Sequence, residues 1–242
     1  MKRVLLLGAS GLIAPHIIPG LQAHYDLRLA DVKPHPAGTP VLTVDVTEYN
    51  QVLAAAEGAD IIMNWTVLRH DDTESFHVNT KGAFHVMKAA AELGIRKVLH
   101  TGPTLVLGGY DHDFEIPEAP VTPTTDYYFI SKYLSNEIVR AYARKFQIHT
   151  LCYLFQGLRA RPDGGPHTHR DFPPFTIIYD DLVHAVKLAL ELEEVPDYFQ
   201  HFNLHSHIGQ GKYSLEKAKR MLGYEPQEPY TGYYRRNIEG RQ

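Results

Sequence analysis

A single cysteine among 242 residues leaves no partner for an internal disulfide, so this chain must be held together by its core. That cysteine, Cys152, sits in the apolar run "LCYLF", the setting of a buried inert thiol rather than a nucleophile. Long apolar runs are missing too. The opening "MKRVLLLGAS" offers four consecutive apolar residues before a glycine, too few for a secretory core, and no later stretch approaches a membrane span. A soluble, cytoplasmic protein with no membrane partner is expected. Basic runs are absent and the formal charge is −4, which excludes the electrostatic footprint of a nucleic-acid binder. There is no internal repeat and no low-complexity tract.

What is present is alternation. Short β-rich runs at 4–7, 27–31, 41–46, 60–65, 97–102 and 148–155 are separated by helical patterns, the signature of βα units feeding a parallel sheet with helices on both faces. Helices are predicted over "EYNQVLAAAEG", over "FHVNTKGAFHVMKAAAELG" up to Gly94, and from about Asp126 to Lys145. After Phe155 the composition shifts to the Gly-, Pro-, Arg- and His-rich "QGLRARPDGGPHTHRDFPPF", a functional or irregular connection. A helix, "YDDLVHAVKLALELE", a strand, "YFQHFNLHS", and a short helix, "SLEKAKRMLG", follow.

"LLLGASGLIA" places Gly8, Gly11 and Ala14 between the first strand and first helix. There a tight turn and free helix N–H groups can receive a pyrophosphate. Asp31 ends the second strand 23 residues after Gly8, where a carboxylate accepts from ribose hydroxyls and repels a 2′-phosphate. The pair points to NAD rather than NADP. Pro15 suits the first helical turn, whereas Pro19 should kink or end that helix.

In "YYFISK", Tyr128 and Lys132 lie four residues apart and share a helix face, an arrangement Tyr127 cannot have with Lys132. A phenol lowered by a nearby ammonium can accept a proton from a substrate hydroxyl.

At this point the chain resembles the extended short-chain dehydrogenase/reductase family, in its NAD-dependent epimerase/dehydratase group. "GASGLIA", "LADVKP", "VDVTE", "VNTKGAFHVMKAA", "RKVLHTGPTLVLGG", "YYFISKYLSNE", "YDDLVHAVKLALE" and "LGYEP" occur in the family's order. The resemblance implies an α/β, Rossmann-type doubly wound parallel sheet over 1–155, with a small C-terminal substrate lobe over 156–242 whose elements return to the core. It implies that Gly8, Ser10, Gly11, Leu12 and Ile13 hold the pyrophosphate and Asp31, with Val32 beside it, the ribose. Asp45 and Val46 would flank the adenine. Asn64, Trp65, Thr66, Asn79 and Phe155 would line the cofactor, and Tyr128 and Lys132 would form the catalytic pair and meet the nicotinamide ribose. Where the family places a serine or threonine this chain has Pro103, so Thr101 or Thr104 must supply that hydroxyl if one is supplied.

Fifteen histidines are many. His201, His205 and His207 have strand spacing and His167 and His169 lie in the loop, but without the spacing of a strong zinc signature no metal is expected. Arg159, Arg161 and Arg170 fall where this family grips substrate, and a guanidinium can take a carboxylate or phosphate in a fork. The short C-terminal segment favours a small carbohydrate over a nucleotide sugar, and "RLADVKPHPAG" and "LGYEP" resemble the uronate dehydrogenase branch. The reading is an NAD-dependent oxidoreductase acting on a hydroxyl of a carbohydrate or sugar acid. A nucleotide-sugar epimerase or dehydratase, and an NAD-binding sensor without catalysis, stand as alternatives. The helices at 76–94 and 126–146 suggest a homodimer, as is common in that family.

Overall fold

Strand β1 (Arg3–Leu7) is buried from Val4 to Leu7, because helices cover both of its faces. It starts a sheet in a computed structural model that describes residues 1–103, 125–161, 175–206 and 213–227. The strands that follow are β2 (Asp26–Asp31), β3 (Leu42–Thr43), β4 (Ile61–Asn64), β5 (Lys97–Pro103) and β6 (His149–Phe155). Strands β7 (Gly157–Arg159) and β8 (Thr176–Ile178) pair only with each other, and β9 (Phe199–Leu204) joins the main sheet. The sheet runs β3-β2-β1-β4-β5-β6-β9, parallel throughout. This is the doubly wound Rossmann-type order, whose switch point between β1 and β4 opens a crevice at the carboxyl ends of the strands.

The pleat sends alternate residues to two cores. Val4, Leu6, Met63, Leu99, Leu151 and Tyr153 pack with α1 (Ala14–Leu21), while Leu5, Leu7, Ile62, Val98, Cys152 and Leu154 pack with α2 (Tyr49–Ala56) on the other side. The second face is completed by α4 (Gly82–Leu93) and α5 (Tyr127–Phe146), and the short α3 (Asp72–Ser75) packs against α5. The first is completed by α6 (Tyr179–Glu191) and α7 (Glu216–Leu222). Beyond residue 155, β9 thus extends the sheet and α6 packs on α1. Among the described residues no helix is long and apolar enough to cross a membrane.

Three local departures from the sequence expectation have physical causes. Pro15 occupies the first turn of α1 as expected, but the helix runs through Pro19 and ends two residues later at Leu21. Pro19 is exposed, so water can replace the missing N–H donor. The run 41–46 keeps only two strand residues, since Asp45 Oδ1 accepts from the Thr47 N–H and hydroxyl, both at 2.8 Å. That turn aims Val44 and Val46 into the core. Finally, the run 76–94 is not one α-helix. A π-helical turn, Phe76–Lys81, precedes α4, and it carries Asn79.

Candidate active site

Gly8 has φ 85°, and a Cβ there would sit 2.7 Å from the Trp65 carbonyl group, so the turn leaving β1 tolerates only glycine. The Gly8 and Ala9 N–H groups both donate to the Ala30 carbonyl, at 2.9 and 3.1 Å. At the start of α1, Ile13 gives no side-chain cap and the first turn holds no acidic residue, which leaves its positive end open to an anion. Asp31, ending β2, accepts from Ser10 N–H at 2.9 Å and Lys33 N–H at 3.0 Å, while Ser10 Oγ donates to the Lys33 carbonyl at 2.8 Å. The carboxylate is therefore tied across the turn. Leu12 and Val32 beside it are 72% and 54% exposed. An open helix end, a fixed acceptor and flanking apolar surface fit a dinucleotide.

Asn64 ends β4. Its Oδ1 accepts from Thr66 Oγ1 at 2.7 Å, which turns Nδ2 toward His100 Nδ1 at 3.3 Å. His100 Nε2 meets Ser135 Oγ at 2.9 Å, so the imidazole bridges β4 to α5. With Nδ1 accepting, Nε2 carries the proton and donates to the serine. Burial, aided by Lys132, holds His100 well below the usual histidine range and therefore neutral. Trp65 packs on Phe155 at 6.3 Å between centroids, on the opposite face of the sheet. Asp45 serves its own turn, and the Val46 carbonyl meets His85 Nδ1 at 2.9 Å.

Helix α5 begins where the Asp126 carboxylate accepts from Phe129 N–H at 3.0 Å. That cap sets Tyr128 and Lys132 one turn apart on the helix. Tyr127 is occupied elsewhere, its hydroxyl donating to the Arg69 carbonyl at 3.2 Å. Lys132 is 2% exposed and lies over Gly102 of β5, and burial pushes its ammonium down to about 8. Tyr128 is half-buried, and desolvation raises its phenol. Sequence reasoning assigned the opposing influence to Lys132. The structure gives it instead to Arg69, whose guanidinium carbon is 5.9 Å from the Tyr128 ring centroid, with Asp126 acting to raise the phenol further.

Asn79 Oδ1 accepts from Leu68 N–H and its Nδ2 donates to the Leu68 carbonyl, both at 2.9 Å; Nδ2 also reaches Ser131 Oγ at 2.9 Å. It thus clamps the segment after β4 onto α5. Pro103 closes β5 opposite Phe155, and Thr101 lies on the same face of the strand, buried and about 7 Å back. Thr104 is outside the described residues. Arg161 lies 3.4 Å from Asp180, Arg159 is exposed on β7 near Tyr179, and Arg170 is outside the described residues. His167, His169 and His207 are also outside them, and His205 Nε2 meets the Tyr213 carbonyl at 2.9 Å. Among the described residues no three His, Cys, Asp or Glu side chains converge as metal ligands.

Sequence reasoning missed His100, Ser135 and Arg69. The first left a signal, a lone histidine in the apolar strand "KVLHTGP". The others depend on long-range packing.

The model of the NAD dependent epimerase/dehydratase family matches residues 4–158. A uronate dehydrogenase of Pseudomonas putida is 30% identical over 197 residues, covering 78% of this chain and 71% of that one. An NAD-dependent glucose-6-phosphate dehydrogenase of Haloferax volcanii is 23% identical over 256 residues, covering 93% of each. In fold, the chain is similar to the crystal structure of uronate dehydrogenase from Agrobacterium tumefaciens, with TM-score 0.81, 20% identity, and coverage of 100% of this chain and 90% of that one. The turn at Gly8, the carboxylate of Asp31 and the Tyr128–Lys132 pair thus stand in a chain that belongs to the NAD dependent epimerase/dehydratase family.

Proposed function

We propose that this protein is an NAD-dependent dehydrogenase that oxidises a hydroxyl of a sugar acid. The observation that carries the reading is the Tyr128–Lys132 pair on one face of α5, with Lys132 buried against β5. The resemblance to uronate dehydrogenases supports a sugar acid over a nucleotide sugar.

When bound, NAD supplies the hydride acceptor. Gly8, Ser10, Gly11, Leu12 and Ile13 would hold its pyrophosphate at the open end of α1, and Asp31, with Val32, its adenosine ribose. Asp31 would disfavour NADP by charge repulsion. Asp45 and Val46 would flank the adenine, and Asn64, Trp65, Thr66 and Phe155 the remaining length. Asn79 would act by fixing the segment that carries Leu68. Tyr128 takes the proton of the substrate hydroxyl, with the Arg69 guanidinium beside its ring favouring the phenolate, and Lys132, its ammonium pushed down to about 8 by burial, would meet the nicotinamide ribose.

With Pro103 in place of a hydroxyl-bearing residue, orientation of the substrate oxygen falls to Tyr128 and to Thr101 or Thr104. Residues 156–242 supply the substrate lobe, with Arg159, Arg161 and Arg170 as anion-binding candidates. The exposed Phe84 on α4, with Leu134 and Phe146 on α5, supports a homodimer through those helices. A cytoplasmic location and a place in carbohydrate metabolism go with the sugar-acid reading.

The test is a panel of sugar acids, free sugars, sugar phosphates and nucleotide sugars, each incubated with NAD while reduced nicotinamide is followed by absorbance. Turnover with uronates supports the reading. Conversion of nucleotide sugars without net reduction would replace it with an epimerase, and NAD binding without turnover on any member would replace it with a sensor.

A further inference from the structure

Arg69 follows the segment Asn64–Thr66 and is held by its backbone rather than its side chain. Leu68, the residue before it, is clamped through both peptide groups by the Asn79 amide, and Ser75 Oγ adds a donor to the Leu68 carbonyl at 3.1 Å. Tyr127 anchors the Arg69 carbonyl itself at 3.2 Å. A backbone fixed at both residues presents an exposed guanidinium beside Tyr128, 5.9 Å from the ring centroid.

Four other surface arginines are spent on protein carboxylates, while the exposed Arg96, Arg159 and Arg220, which lie away from Tyr128, form no ion pair among the described residues. Arg3 pairs with Asp60, Arg140 with Glu137, Arg144 with Asp197 and Arg161 with Asp180. Arg69 has no ion pair among the described residues. The acidic groups nearest it in sequence serve helix starts: Asp71 accepts from Glu74 N–H and Asp72 from Thr73 N–H. Across the site, Asp126 caps α5. A positioned cation next to the proton acceptor, with the local carboxylates engaged elsewhere, is built to meet an anion brought by the substrate.

We infer that Arg69 is the receptor for the anionic group of the substrate, a carboxylate or a phosphate, and that it holds that group on the Tyr128 side of the site. This rests on the dehydrogenase reading above and adds the residue that selects an acidic sugar. The same charge opposes the desolvation that raises the Tyr128 phenol, so binding and proton acceptance share one side chain.

The experiment compares wild type with Arg69→Ala and Arg69→Lys on glucuronate, on glucose 6-phosphate and on glucose, with melting curves to verify folding. The expected result is a KM for the preferred anionic sugar raised roughly 10- to 100-fold in Arg69→Ala, and partial recovery in Arg69→Lys. The loss should exceed that on glucose by at least about tenfold. Preference for glucuronate identifies the group as a carboxylate, and preference for glucose 6-phosphate as a phosphate. Equal losses on charged and neutral sugars, or none on the charged ones, overturn the inference while leaving the dehydrogenase reading intact. If wild type oxidises none of the three, calorimetry with the NAD-saturated protein separates the two claims. Binding of an anionic sugar that Arg69→Ala abolishes upholds the receptor without the reaction, and absence of binding, or binding unchanged in the variant, overturns the receptor.

Discussion

The two faces of the sheet are built from the same strands and yet differ in chemistry. Toward α1, α6 and α7 the strands present Val4, Leu6, Met63, Leu99 and Leu151, and Tyr153 satisfies its hydroxyl on the Ala185 carbonyl at 2.6 Å. Toward α4 and α5 the pleat presents His100 and Asn64 among the apolar residues, facing Ser135, Lys132 and Asn136 from α5. Buried polar groups cost stability unless each finds a partner, and here most do. The first face holds the sheet, and the second holds it in a way that fixes α5, which carries the proposed proton acceptor.

That contrast can be broken by variants on each side. Tyr128→Phe should lower kcat by roughly a hundred- to ten-thousand-fold, with an unchanged melting curve, because the phenol acts on the reaction and not on the fold. Leu151→Ala, on the apolar face, should cost about 2–5 kcal/mol of stability by denaturant titration and alter KM little. His100→Leu, on the polar face, should cost about 2–3 kcal/mol, since it leaves the Asn64 amide and Ser135 hydroxyl buried without the ring. Adding Ser135→Ala to it should recover part of the loss, the outcome expected of an orphaned partner. Unlike Leu151→Ala, His100→Leu should also lower kcat, through displacement of α5.

The smallest effect is a slope. Lys132 titrates near 8 in the folded chain and at its ordinary, higher value when unfolded, so the native state binds fewer protons between the two. Stability therefore rises with pH across that window, by about 2 kcal/mol between pH 8 and 10 as an order of magnitude. The rise should be present in wild type relative to Lys132→Met when unfolding is measured at each pH. A parallel pair of curves would mean that Lys132 is not desolvated in the fold.

What the sequence disclosed follows the same division. The turn at Gly8, the end of β2 at Asp31 and the start of α5 at Asp126 are set by local rules of backbone conformation and capping, and each stands where the pattern placed it. Spacing likewise separated Tyr128 from Tyr127, and the structure gives Tyr127 an anchoring bond instead. Arg69 was invisible because nothing local brings it to Tyr128; the Asn79 clamp across the π-helical turn does so. The shortness of β3 was hidden for a related reason. "VLTVDV" has the composition of a strand, but Asp45 competes for the backbone through its own side chain.

In the proposed reaction a sugar acid surrenders hydrogen from carbon to NAD while Tyr128 takes the hydroxyl proton. The most direct measurement incubates the protein with NAD and a uronate deuterated on carbon, then examines both products by mass spectrometry. Deuterium on the reduced nicotinamide and an oxidised sugar acid are the expected products, with neither formed at an appreciable rate by Tyr128→Phe. Deuterium retained on a sugar of inverted configuration, or undiminished transfer by Tyr128→Phe, would contradict it.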